Sequence, residues 1–119
     1  MKWKKAPSDL VEFLSQRMKD VPCEPRQMFG FPSYFINGNM FVGAFEDRLF
    51  LRLSESDRAA IAKTDPRVRA FEPMPGRQMG EYVEVPKSLY TDKKFFDIWL
   101  DRSIRYASSL PAKKKAPKK

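Results

Sequence analysis

The sequence predicts one α+β domain: an antiparallel sheet built on a three-stranded meander, with N- and C-terminal helices packed on one of its faces. Two observations predict it. The apolar residues recur every three to four positions near both ends of the chain, and every second position in between. Tight-turn residues, Asn37-Gly38 and Glu46-Asp47, divide the alternating stretch into short runs. The length, 119 residues, suits one domain with its own core.

Pro7-Ser8 reads as a helix start, with Ser8 as the N-cap and Asp9 near the positive end of the helix dipole. Leu10, Val11, Phe13, Leu14 and Met18 then form a stripe at helical spacing. Pro22 and Pro25 end this helix or hold the next segment extended. From Gln27 to Leu53 the period is strand-like. Ser33–Ile36 and Met40–Phe45 flank Asn37-Gly38, which supplies the two positive φ angles of a type I′ hairpin turn. After Glu46-Asp47, the run from Arg48 to Leu53 places Leu49, Leu51 and Leu53 on one face.

Ser54-Glu55-Ser56-Asp57 carries cap chemistry and opens a short helix over Arg58–Lys63, closed by Asp65-Pro66. Pro75-Gly76 suits a type II turn. Tyr82–Val85 alternates and reads as a further strand stopped by Pro86. Thr91 or Asp92 caps the longest helix, whose stripe runs through Phe95, Phe96, Trp99, Leu100, Ser103, Ile104 and Ala107 until Pro111 breaks it. The expected organisation is a basic extension at 1–7, a folded domain at 8–110 and a disordered lysine-rich tail at 111–119.

Composition narrows the chemistry. Hydrophobic residues make up 42% and aromatics 13%, too apolar for a disordered chain. No apolar run reaches the roughly 18 residues of a membrane span, and Met1–Asp9 lacks the apolar core of a signal peptide. Histidine is absent and Cys23 is the sole cysteine, which excludes a Ser-His-Asp triad, a Cys-His pair, a zinc site and an intrachain disulfide within one chain. One cysteine fits a cytoplasmic location. The net charge is +8, yet Lys2, Lys4, Lys5, Lys113, Lys114, Lys115, Lys118 and Lys119 account for all of it. The body between them holds 15 basic and 15 acidic residues and is neutral. High charge therefore points to the lysine-rich ends as nucleic-acid contacts, binding duplex DNA weakly and without regard to sequence.

No catalytic, cofactor-binding or metal-ligating set emerges. The carboxylates alternate with bases, as at Glu46-Asp47-Arg48 and Glu55 to Arg58, which is the pattern of a solvated face. Cys23 lies between prolines near Lys19 and Arg26 but also near Asp20 and Glu24, and reads as packing. The aromatic density of the strand region has three readings: core, an adaptable Met-rich contact surface, or a base-stacking platform. Met28, Phe29, Gly30 and Phe31 are the candidate surface for a protein partner, since exposed aromatic and Met residues are enriched at interfaces.

Met28-Phe29-Gly30, Asn37-Gly38-Asn39-Met40-Phe41 and the Leu49–Leu53 run resemble the N-terminal domain of the TfoX/Sxy family. Phe71-Glu72-Pro73-Met74-Pro75-Gly76-Arg77, Met79, Glu81-Tyr82-Val83, Pro86 and Trp99 are similar to a short, stand-alone branch of it, so that the resemblance covers roughly residues 8–110. Phe31-Pro32 departs from the second glycine that many members carry there. The resemblance implies a bacterial regulatory or adaptor domain, non-enzymatic, without a cofactor, that works through a protein partner in the transcription machinery, as full-length members do in regulating competence genes. The strand–turn–strand ahead of Ser54-Glu55-Ser56-Asp57 is similar in topology to MmcQ/YjbR-like small domains, which are linked to DNA binding.

Overall fold

The computed structural model describes residues 7–28, 30–72, 76 and 80–111, Met28 by its backbone alone. The elements are α1 (Ser8–Met18), β1 (Glu24–Met28), β2 (Phe31–Ile36), β3 (Asn39–Phe45), β4 (Arg48–Arg52), α2 (Glu55–Thr64), β5 (Arg69–Ala70), β6 (Tyr82–Val85), α3 (Lys87–Tyr90) and α4 (Lys93–Ser109). The strands form one open antiparallel sheet in the order β1-β2-β3-β4-β6-β5. The predicted α+β class holds, and the meander is longer than expected, with β1 added ahead of the three predicted strands.

Local chemistry sets the boundaries. Asn37 and Gly38 take φ 52° and 80°, the left-handed pair that a type I′ turn requires, and Glu46 takes φ 57° in the next turn. Ser54 caps α2, its Oγ accepting from Asp57 N–H at 3.2 Å, and Asp92 caps α4 by accepting from Phe95 N–H at 3.3 Å. Ser8 is not the cap of α1. The extended residue there is Pro7, whose carbonyl accepts from Leu10 and Val11 N–H, and Ser8 is already helical. Pro25 lies inside β1 with its neighbours extended; lacking an N–H it sits at the sheet edge, where a missing donor is tolerated.

The helices cover one sheet face. Ile36, Val42, Ala44, Leu49, Leu51, Val83 and Val85 meet Leu10 and Leu14 of α1, Ile61 of α2 and Phe96, Trp99 and Leu100 of α4 in one core. The register between β2 and β3 slips after Tyr34, so that Phe41 has no opposite residue, and both Phe41 and Val42 join this core. The Phe41 carbonyl accepts from the buried Ser103 hydroxyl at 2.9 Å, which ties α4 to the bulge. Asp97 and Arg102 stand about 140° apart around α4. Asp97 pairs with Arg17 of α1, and Arg102 with Asp57 of α2 at 2.7 Å, so α4 lies between α1 and α2. Of the three α4 aromatic and aliphatic residues flanking Leu100, Trp99 is buried, whereas Phe95 and Ile104 are half-buried because they sit at the margins of the stripe.

The opposite face is buried as well. Phe31, Met40, Phe45, Phe50 and Phe71 form a second cluster, with Phe50 stacked on Phe71 at 4.6 Å between ring centroids. Arg48 lies over the Phe45 and Phe71 rings and donates to the Glu72 carbonyl at 2.8 Å. The strand aromatics are therefore core on both sides, and the stacking-platform reading fails because Phe71 and Arg48 occupy the face that bases would need. No helix among the described residues is long and apolar enough to cross a membrane.

Candidate functional site

Of the four residues expected to form a partner surface, Gly30 and Phe31 are fully described. Phe31 is only 4% exposed and packs against Phe45 at 5.2 Å, so it belongs to the second core. Gly30 is exposed in a turn at φ +81°. The Met28 side chain and Phe29 lie outside the described residues, as do Lys2, Lys4, Lys5, Lys113, Lys114, Lys115, Lys118 and Lys119 and the Pro75 of the expected type II turn. The Pro111 carbonyl accepts from Asn39 Nδ2 at 3.1 Å, so Pro111 lies beside the turn between β2 and β3.

Cys23 is half-buried, and burial pushes its thiol above the usual range, which disfavours the reactive thiolate. Among the described residues no three His, Cys, Asp or Glu side chains come together as a metal site.

The richest assembly of polar side chains joins elements distant in sequence, at the end of the sheet where β4 stops and β6 starts. Arg52 meets Glu81 Oε1 through two nitrogens, at 2.7 and 2.6 Å. Tyr106 of α4 donates to Glu81 Oε2 at 2.9 Å. The Arg52 guanidinium lies over the Tyr82 and Tyr106 rings, at 5.6 and 5.9 Å. Tyr82 in turn donates to the Met40 carbonyl, and Arg58 to the Leu53 carbonyl at 2.7 Å. Burial pushes the Glu81 carboxyl up, but hydrogen bonds from Arg52 and Tyr106, with the charges of Arg52 and Arg58, hold it below its ordinary value of 4.5. Burial foremost, then the bond to Glu81, raises Tyr106. With Arg52 on one carboxylate oxygen and Tyr106 on the other, Glu81 clamps the end of β4, the start of β6 and α4 together through charge-assisted hydrogen bonds. A depressed carboxylate stabilises the fold above its unfolded pKa and loses that contribution as pH falls through its folded pKa. The stability advantage of wild type over Glu81→Gln should thus be full at neutral pH and fade as pH drops below about 4.5, read from urea unfolding at a series of pH values.

Next to this clamp, α2 and α4 bound an open groove of about 620 Å³, lined by Ser54, Asp57, Ile98, Asp101, Arg102, Arg105 and Tyr106. Its floor is fixed. Arg102 is paired with Asp57 and lies 5.0 Å from the centre of the Trp99 ring. Its most exposed apolar element is Ile98, 53% accessible on the outer side of α4. Residue reasoning missed this groove, since it depends on Asp57 meeting Arg102 across 45 positions. One signal was available: Ile98 is the aliphatic residue of α4 that falls outside the apolar stripe.

A family model described as the TfoX N-terminal domain matches residues 15–107, most of the chain and every element from the middle of α1 to the last turn of α4. A search of curated proteins found no match.

Proposed function

Since the chain belongs to the TfoX N-terminal domain family, we propose that it is a non-enzymatic, cytoplasmic bacterial regulatory domain that acts as an adaptor, binding a protein partner in the transcription machinery. Family membership carries this reading. The neutral body favours a protein over a nucleic acid as the partner of the folded part, because a DNA-reading surface needs clustered Lys and Arg. The groove between α2 and α4 is the contact surface in this reading: it is concave, has an exposed aliphatic residue, Ile98, and is bounded by two helices. Affinity capture from native cells, with and without nuclease, tests it. A protein retained in both arms, and binding the purified domain directly, supports the adaptor. Capture that vanishes with nuclease, or capture of no protein, overturns it.

The charge of the lysine-rich ends supports a second reading, non-specific attachment to DNA. If Lys113, Lys114, Lys115, Lys118 and Lys119 all neutralise phosphates, log affinity should fall with log salt at a slope of about −4.5. Between 50 and 200 mM salt that is a loss of about 500-fold. Truncation after Ala112 removes these lysines and keeps the Asn39–Pro111 hydrogen bond, so the body stays intact. Retained affinity in the truncated protein, with Lys2, Lys4 and Lys5 also changed to Ala, would place DNA binding in the body and defeat this reading.

A further inference from the structure

We propose that the α2–α4 groove receives an acidic amphipathic helix of the protein partner, one aliphatic side chain seated on Ile98 and carboxylates meeting Arg102, Arg105 and Lys94. The inference rests on the adaptor reading and names the chemistry of its partner.

The lining acids and bases are equal in number, two of each, but not in position. In the pair across the groove, Arg102 is 47% exposed and Asp57 19%. In the pair along α4, Arg105 is 79% exposed and Asp101 57%. In both pairs the cation stands further out than the acid. Beyond the lining, Lys94 is exposed one turn before Ile98 on α4, and Glu55 at the start of α2 is the exposed acid nearest in sequence to the α2 wall. An approaching partner therefore meets the Arg105 guanidinium foremost, beside an aliphatic centre, while Asp101 is held in its pair with Arg105 and Asp57 lies beneath Arg102. A basic helix would bring like charges against Arg102 and Arg105, each more exposed than the acid it pairs with, which raises its energy on approach.

A helix fits better than an extended strand. Lys94, Ile98, Asp101 and Arg105 are spaced four, three and four residues apart on the outer face of α4, and all four are exposed. They span about 16 Å, three turns of a partner helix. The walls are themselves helices, and the open strand edges belong to β1 and β5, so no edge lines the groove for a strand to join.

The experiment uses the full chain and a synthetic helical peptide about four turns long, with Leu at heptad spacing and Glu on both flanks. Its controls are the same peptide with Lys for Glu, and a scrambled sequence. Binding is followed by fluorescence anisotropy and by amide chemical shifts. The expected result is binding of the acidic peptide alone, with shifts at residues 54–57 and 98–106. Ile98→Asp and Arg105→Glu change exposed side chains, so circular dichroism should stay native while affinity falls about tenfold or more in each. Equal binding of the Lys peptide, shifts confined elsewhere, or unchanged affinity in both variants overturns the inference. So does loss of duplex DNA binding in these variants, which would make the rim a phosphate contact, or self-association that Ile98→Asp abolishes, which would make a second copy the occupant. If a partner captured from cells binds both variants as tightly as wild type, the groove inference fails while the adaptor reading stands. If no protein is captured, the adaptor reading itself fails.

Discussion

Trp99→Ala is expected to lower the unfolding free energy by about 3–5 kcal/mol, the usual loss for a large aromatic removed from a core. The indole is 6% exposed and belongs to the core that α4 makes with the sheet. Its neighbours cannot close the gap cheaply. Phe95, at 6.2 Å between centroids, is held at the margin of the stripe, and the buried Ser103 hydroxyl fixes the helix to the Phe41 carbonyl. The Arg102 guanidinium also loses the ring beneath it, which loosens the pair with Asp57. Small domains hold about 5–15 kcal/mol in total, so the variant should melt far below wild type. Ile98→Ala, one residue earlier but 53% exposed, should change stability by less than about 0.5 kcal/mol. Urea unfolding of the two variants side by side reads the contrast. A Trp99→Ala protein that unfolds like wild type would show that α4 is not held by this stripe.

The same contrast explains what was legible beforehand. Periodicity reports which residues share a face, and the α4 stripe, the Leu49–Leu51–Leu53 face and Tyr82–Val85 follow from it directly. Turn and cap chemistry is equally local: Asn37-Gly38, Ser54 and Asp92 act on backbone groups within three residues of themselves. What escaped depends on partners far along the chain. β1 has no alternation and contains Pro25, and it becomes a strand because β2 offers it an edge. β5 is two residues long and exists only as a partner of β6. Alternation along β2 to β4 separates two faces but cannot tell that Phe71, some twenty residues beyond β4, covers the second of them and turns Phe31 from a contact residue into core. The groove is of the same kind. Its wall residues are ordinary surface charges until Asp57 and Arg102 meet.

Gly43→Ala should destabilise the fold by about 1–3 kcal/mol, although alanine is ordinarily the better strand residue by up to about 1 kcal/mol. Gly43 lies opposite Ser33 on one side and Phe50 on the other. A Cβ at this position would sit 2.7 Å from Phe50 Cζ and 3.1 Å from both the Pro32 carbonyl oxygen and Ser33 Cβ. Two of these three neighbours are backbone or the root of a side chain and cannot rotate away. The third is the tip of a fully buried ring, stacked on Phe71 and met edge-on by Tyr82 at 5.5 Å. The glycine is needed for close approach, not for an unusual φ angle, so overpacking outweighs the propensity gain. The cause can be separated from a general intolerance of side chains. Phe50→Leu shortens the group that meets the new methyl, at the expense of a smaller cavity against Phe71. The double variant should then be more stable than the sum of the two single losses predicts, by a coupling of about 0.5–3 kcal/mol. Urea unfolding of all four proteins measures it. Strict additivity would show that the methyl clashes with the β2 backbone alone. A Gly43→Ala protein as stable as wild type would show that the Phe50 ring shifts freely, and that the second core is looser than its stacking implies.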